Sequence, residues 1–454
     1  MPALDRSRLQ RLLQQEDTRF AEQHPKSREL FARARQSLFN GVPMNWMVRW
    51  AGSFPIFVES AQGAHFRDVD GNSYLDLCLG DTGAMTGHAP AATVRAIAEQ
   101  AARGLTYMLP TEDALWVGEE LQRRFGLPYW QIATTATDAN RFSVRLARHI
   151  TQRPYILVFN WCYHGTVPGT LVTLTDGKPG PRKGLTGAAI DPSEISRVIE
   201  FNDIAALRQA LANEDVACVL AEPVMTNIGI VHPQPGYLDA LREITRRTGT
   251  LLILDETHTI CAGTGGCTRL WHLEPDILTI GKPIAGGFPA AAYGFSAAVA
   301  EQINRHTSRD DADTGGIGGT LSGNALAMAA VKATLGEVLT QAAYDITIPL
   351  ATRFARGVRS VIEAYQLTWN VTQLGCRAEY WFRTSPAVNG GEAAAAVDIE
   401  LDRYMHLFAL NRGILLTPFH NMALIAPQTT ATDIDYHTQI FRQAVESLFG
   451  EGSP

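Results

Sequence analysis

Between residues 154 and 296 the chain repeats one alternation that few architectures accommodate. PYILVFN (154–160), ACVLAEPV (217–224), TLLILD (250–255), DILTIG (276–281) and AAAYGFS (290–296) are short and apolar at nearly every position. The stretches between them, such as GYLDALREITRRTG (236–249), carry apolar residues at helical spacing and end at a glycine. A strand with one wet face alternates; these do not, so both of their faces are covered. Strands of that kind joined by helices make a parallel or mostly parallel sheet sandwiched between helices. YWQIATT (129–135) and the helical DANRFSVRLARHIT (138–151) extend the pattern upstream.

The flanks read differently. Residues 1–40 look like amphipathic helix; FPIFVES (54–60) and AHFRDVDGNSYLDLCL (64–79) read as strands, with a turn at Asp70-Gly71-Asn72. ATVRAIAEQAARG (92–104) and WVGEELQRRFG (116–126) are helical, each stopped by glycine. SRDDADTGGIGGT (308–320) reads as a flexible loop, ITIPLATRFARGVRSVIEAYQ as a long helix, and the chain from about 370 as a smaller α/β unit. A chain of 454 residues can hold more than one core. The expected division is a large α/β domain at 86–340, with a small domain made from 1–85 and 341–454.

A net charge of −7 argues against a surface built to cover nucleic acid or an anionic membrane. The polar N-terminus MPALDRSRLQRLLQQEDTRF lacks the apolar core of a secretion signal, and no run approaches the ~18 apolar residues of a membrane span. The six cysteines (78, 162, 218, 261, 267, 376) are scattered and form no metal set, so reduced thiols and a cytoplasmic location are expected.

In an open α/β sheet, ligands collect beyond the carboxyl ends of the strands. After YWQIAT comes Thr135-Ala136-Thr137, opening a helix; hydroxyls and backbone N–H groups there are either a phosphate seat or an ordinary cap. After PYILVFN comes Trp161-Cys162-Tyr163-His164-Gly165. Glu222 follows the next strand, Asp255, Glu256 and His258 the next, and Lys282 the last. A carboxylate such as Asp255 at the end of a buried strand costs free energy unless something cancels its charge. Pyridoxal phosphate meets every member of this set. It needs an amine for a Schiff base, a carboxylate on its pyridinium nitrogen, a phosphate seat and an aromatic face to stack on. Asp255 then has its counter-charge in the ring nitrogen, and Lys282 is held uncharged.

On these residues the chain resembles the class III aminotransferases, fold type I pyridoxal phosphate enzymes. The group includes glutamate-1-semialdehyde aminomutases, β-amino acid aminotransferases and amine transaminases. LLILDETHT with PDILTIGKPIAGGFPAAAYG is similar to the family's Asp–Glu and lysine segments. AEPVMTNIGIVHPQPGYL resembles its Glu-Pro segment, YHG (163–165) its ring-stacking turn, and GGTLSGNALAMAA (318–330) its Gly-Thr stretch. The resemblance implies an α/β fold type I chain with a mostly parallel central sheet and a smaller α/β domain, working as a homodimer with shared active sites. It implies that Lys282 is the Schiff-base lysine and acid–base, and that Asp255 anchors the pyridine nitrogen. His258, where many relatives carry Gln, reaches the phenolic oxygen, Tyr163 stacks on the ring, and Glu222 joins the cofactor site. Thr135, Ala136 and Thr137 hold the phosphate, with Thr320 supplied by the neighbouring subunit.

Departures bear on the substrate. TTATDAN places Ala136 where relatives have Gly and Asp138 where they have Glu. LLTPFHNMALIAPQ (415–428) carries Phe419 and His420 where carboxylate-binding relatives place an arginine. Trp46, Arg49, Trp50 and Asp81 match positions that line the family's substrate pocket. The expected reaction is ping-pong transfer of an amino group from an amine or (β-)amino acid to a keto acid or aldehyde. Two alternatives stay open: a glutamate-1-semialdehyde-type intramolecular aminomutase using the same residues, and a non-catalytic module that keeps the fold. Poor use of 2-oxoglutarate is expected, and better use of pyruvate, small aldehydes or ketones. Arg49 or Arg377 would change that by supplying the missing cation; Arg377 is expected to pair with Glu379 or another acid. The glycines of GTGGCT (263–268) and GGIGGT (315–320) lack the strand–turn–helix setting of a nicotinamide site.

Overall fold

The computed structural model describes residues 4–188, 190–306 and 317–450. Most of the loop expected at 308–320 lies outside the described residues. The chain divides into two compact units: one holds residues 90–342 with 387–395, the other the chain up to Ala89 with 343–386 and 396 onward.

In the first unit seven strands form one sheet: β1 Tyr129–Ala133, β2 Tyr155–Phe159, β3 Ser196–Ile199, β4 Val216–Ala221, β5 Leu251–Asp255, β6 Ile277–Ile280 and β7 Ala291–Phe295. Their order is β1-β7-β6-β5-β4-β2-β3. Only β7 runs antiparallel to its neighbours; the other pairs are parallel. Every residue of β4, β6 and β7 is buried, which is why their sequences are apolar without alternation. Edge strand β3, SRVI, escaped the sequence reading because four residues including Arg197 carry too little pattern.

Helix α1, Ala136–Thr151, lays Ala139, Phe142, Ser143, Leu146, Ala147 and Ile150 against the sheet, the i, i+3, i+4 stripe of an amphipathic helix. It begins two residues before the reading from sequence, at Ala136. Helix α2, Tyr237–Thr248, ends at Gly249 in the left-handed conformation, as glycine stops require. Register aligns the strand ends: Leu254 lies beside Ala221 and Asp255 beside Thr279. The residues that leave β4, β5 and β6 therefore leave the same edge of the sheet.

The second unit holds a four-stranded sheet, Val58–Gln62, His65–Asp68, Ser73–Asp76 and Ile414–Leu415, and a three-stranded antiparallel one, Asn370–Leu374, Arg377–Trp381 and Met422–Leu424. The N-terminal helix is not continuous. It breaks at His24 into Arg6–Gln23 and Pro25–Ala34, with Pro25 at the first position of the second helix. The strand expected from residue 54 starts only at Val58, after Pro55, which cannot donate to a ladder. The Asp70-Gly71-Asn72 turn joins the second and third strands, its chain held by Asp68 Oδ1, which accepts from the N–H groups of Asp70 (3.0 Å) and Asn72 (2.8 Å). No described helix is long and apolar enough to cross a membrane.

Candidate active site

Asp255 ends β5 and is 4% exposed. Its Oδ2 accepts from Asn140 Nδ2 at 2.8 Å and from His164 Nδ1 at 2.9 Å, and its Oδ1 accepts from the Thr257 N–H at 3.1 Å. Burial alone pushes a carboxyl up. Here the hydrogen bond and charge of His164, with Thr257 and Asn140, outweigh it and hold Asp255 below the ordinary carboxylate range. His164 responds in the opposite sense: burial pulls it down, and Cys162 and Asp255 push it further up. Each member of the pair thus favours the charged form of the other. Asn140 ties it to β6, because its Oδ1 accepts from Thr279 Oγ1 at 2.7 Å.

Glu222, the residue after β4, is buried and accepts from the N–H and the hydroxyl of Thr226. Burial pushes its carboxyl up to about 7, against the pull of the His164 charge and the Thr226 hydrogen bonds. Glu256 does something else. Its carboxylate accepts from the backbone N–H of Cys267 at 3.1 Å, the N–H of Thr268 and the Thr259 hydroxyl, pinning the chain from 256 to 268. This explains GTGGCT: Gly266 sits at φ +60°, and a Cβ there would lie 2.2 Å from Glu256 Oε2. The turn that carries His258 is therefore held at both ends.

Lys282 opens the turn after β6 at φ +50°, a left-handed conformation that non-glycine residues adopt at a cost of about 1–2 kcal/mol. Its Nζ lies 2.6 Å from His258 Nε2. The preceding Gly281 packs on the start of α1, where a Cβ would come within 2.9 Å of Ala136 Cβ. At that helix start Thr135 caps the chain, its hydroxyl accepting from the Asp138 N–H at 3.1 Å. The N–H groups of Ala136 and Thr137 belong to the first turn, which has no carbonyl of its own helix to bond. Thr137 Oγ1 accepts from the Thr166 N–H at 3.1 Å, and Gly165, at φ +78°, lets the Tyr163 turn come that close. Thr320 is exposed, in the turn before Asn324, which caps the helix Ala325–Ala333.

The strand edge thus gathers Lys282, His258, Asp255, Glu222, Tyr163 and the start of α1. The donor set fits pyridoxal phosphate: a desolvated, ionised carboxylate for a cationic ring nitrogen, an amine, and the first-turn N–H groups of Ala136 and Thr137 for a phosphate. Sequence reasoning missed Asn140, His164 and Thr257, which set the state of Asp255. The signal for Asn140 was an amide on the buried stripe of α1, where apolar residues belong.

The pocket residues expected near the termini lie in the second unit. Trp46 meets Phe419 edge-on, with ring centroids 5.8 Å apart, and the Arg49 guanidinium stands 5.7 Å from the same ring centroid. Trp50 lines an apolar hollow of about 540 Å³ with Val42, Phe54 and Leu410. Asp81 accepts from Arg377 Nη2 at 3.3 Å, and His420 Nδ1 lies 3.2 Å from Glu379 Oε1. Of the acids expected for Arg377, the structure gives Asp81; Glu379 takes the imidazole. Among the described residues, no group of three or more His, Cys, Asp or Glu side chains is arranged to hold a metal ion.

A family model described as aminotransferase class-III matches residues 46–445. The glutamate-1-semialdehyde 2,1-aminomutase of Desulfitobacterium hafniense (strain Y51) is 35% identical over 445 residues, covering 94% of this chain and 99% of the relative. Among solved structures, a glutamate-1-semialdehyde-aminomutase from Pseudomonas aeruginosa PAO1 is 47% identical, with a TM-score of 0.96 over 98% of this chain and 99% of that one. A lysine-to-alanine form of that protein was solved in complex with PMP. An omega-transaminase from Sphaerobacter thermophilus is 26% identical, with a TM-score of 0.84 over 93% of this chain and 98% of the other. A sheet edge that presents an amine, an ionised buried carboxylate and a helix start, in a chain matched nearly end to end by these proteins, leaves one assignment: the chain belongs to the class III aminotransferase family, the fold type I enzymes that use pyridoxal phosphate.

Proposed function

We propose that the enzyme shifts an amino group within one substrate, an α-amino aldehyde carrying a distal carboxylate, of the glutamate 1-semialdehyde type. The observation that carries this reading is the likeness, over nearly the full length of both chains, to proteins bearing that name. In such a shift the nitrogen on C2 and the oxygen on C1 exchange places, so the product is 5-amino-4-oxopentanoate and no second carbonyl compound is consumed.

The bound cofactor supplies an electron sink. The protein's own part follows from the geometry. Asp255, kept ionised by His164, Asn140 and Thr257, holds positive charge on the ring nitrogen. The N–H groups of Ala136 and Thr137 would hold the phosphate, and Tyr163 and Glu222 would bind the ring. Lys282 Nζ takes a proton from the substrate carbon that bears nitrogen and returns it to the other carbon. A cytoplasmic setting fits six cysteines that are all thiols rather than disulfides.

The test is turnover with a single substrate. Holoenzyme given glutamate 1-semialdehyde alone is expected to form 5-amino-4-oxopentanoate to completion. A second reading, intermolecular transamination, is favoured by the likeness to the omega-transaminase. Product that forms only when pyruvate or another carbonyl acceptor is added establishes that reading and refutes the first.

We also propose a homodimer in which the partner's copy of Thr320 completes the phosphate seat, supported by the exposure of Thr320 beside the helix Ala325–Ala333. Sedimentation at assay concentration is expected to find no active monomer; a fully active monomer contradicts the shared site.

A further inference from the structure

We propose that His258 is the proton partner of Lys282, accepting a hydrogen bond from its ammonium and thereby raising the basicity of the amine. The inference deepens the reading above and rests on Lys282 being the reacting amine. The two nitrogens lie 2.6 Å apart. A lysine ammonium has only donors, so at this separation the imidazole nitrogen facing it is the acceptor and carries no proton. The neutral ring then bears its proton on Nδ1.

The placement of both residues is specific. Lys282 reaches this position from a left-handed backbone, at φ +50°, directly after a glycine that has no room for a side chain. His258 stands three residues after Asp255 on a segment fixed at one end by the Thr257 N–H on Asp255 and at the other by Glu256. Neither residue is fully buried, so hydrophobic packing does not require a ring here. What the arrangement provides is an acceptor for a cation that appears during the reaction. When the neutral amine of Lys282 takes a proton, the substrate C–H bond breaks, its electron pair stays on the substrate side, and Nζ becomes an ammonium. When that charge forms, one of its three N–H groups is already matched to His258 Nε2. Delivering the proton reverses the sequence, and His258 ends unchanged.

Two replacements separate this role from packing. His258→Gln retains an acceptor in the same place, whereas His258→Phe retains a planar ring without one. Folding is checked by circular dichroism and melting, with His258→Leu as a substitute should the Phe variant not fold. In the cofactor-free protein, Lys282 is labelled with trinitrobenzenesulfonate across a pH series and quantified by peptide mapping. Without the acceptor the ammonium is destabilised, so in the Phe variant the labelling curve is expected to move to lower pH, with a rate at neutral pH about threefold or more above native. In the loaded enzyme the same variant is expected to lose about tenfold in kcat, with KM within about twofold, as befits an interaction made only after proton transfer. The Gln variant is expected to stay within about threefold of native in both measurements. Labelling curves that coincide for native, Gln and Phe proteins overturn the proposal. The labelling needs neither substrate nor cofactor, so a wrong substrate assignment leaves it standing: normal labelling shifts without turnover of an amino aldehyde count against the reaction, not against His258.

Discussion

Lys282→Ala is expected to abolish turnover, by more than about 10⁴-fold, the upper end of what one general acid–base group contributes. The loss has two physical sources. The amine that anchors the cofactor disappears, and so does the base that moves the proton. No other lysine can substitute. The remaining four are Lys26, Lys178, Lys183 and Lys332. Lys26 lies in the helix Pro25–Ala34, Lys178 in the short hairpin strand Lys178–Pro181, and Lys332 is bound to Asp113 at 2.7 Å. The fold should survive the change. Lys282 is only partly buried, and alanine at φ +50° is strained no more than lysine is. A melting temperature within a few degrees of native is therefore expected, measured by calorimetry beside the activity assay; retained turnover would remove Lys282 from the chemistry.

Asp255→Asn is expected to keep the fold and bind cofactor, yet lose about 10²–10⁴-fold in kcat, or about 3–5.5 kcal/mol at ~1.4 kcal/mol per tenfold. The amide has the shape of the carboxylate, so Asn140 and Thr257 can still approach it. It lacks the charge, and here the charge is the working part. His164 is raised by Asp255 and Cys162 in the native protein, and with Asp255 neutral an important part of that support is gone. Two things then change together: the ring nitrogen loses its counter-ion, and His164 loses an acceptor of full negative charge. Near-native kcat with full cofactor occupancy would show that Asp255 does not hold the ring nitrogen.

The sheet was legible because burial on both faces leaves a plain mark. Residues such as those of β4 and β6 have no reason to alternate, and runs like VACVLA and ILTI have few other uses. Asp255 and Lys282 were legible for the converse reason: a charge at the end of such a run needs a partner. Residues with the same chemistry but no such contrast stayed hidden. His164 sits in an aromatic turn, and only the three-dimensional approach of 2.9 Å to Asp255 reveals its part in the site. The pairing of His258 with Lys282 joins positions 24 residues apart and depends on a turn whose geometry Glu256 fixes from the opposite side. Edge strand β3 and the break at His24 were lost for local reasons, a strand too short for a period and a proline that starts a helix as readily as it stops one. The choice between moving an amino group within a molecule and between molecules left no mark at all, because Lys282 and Asp255 serve both.

The central claim is that Lys282 carries the cofactor. Reduction of the loaded enzyme with borohydride fixes the carbon–nitrogen bond between a lysine and pyridoxal phosphate, and peptide mapping then locates the modified residue. A single stoichiometric label on Lys282, absent in Lys282→Ala, is the predicted result. A label on Lys26, Lys178, Lys183 or Lys332, or none on any lysine, would contradict it.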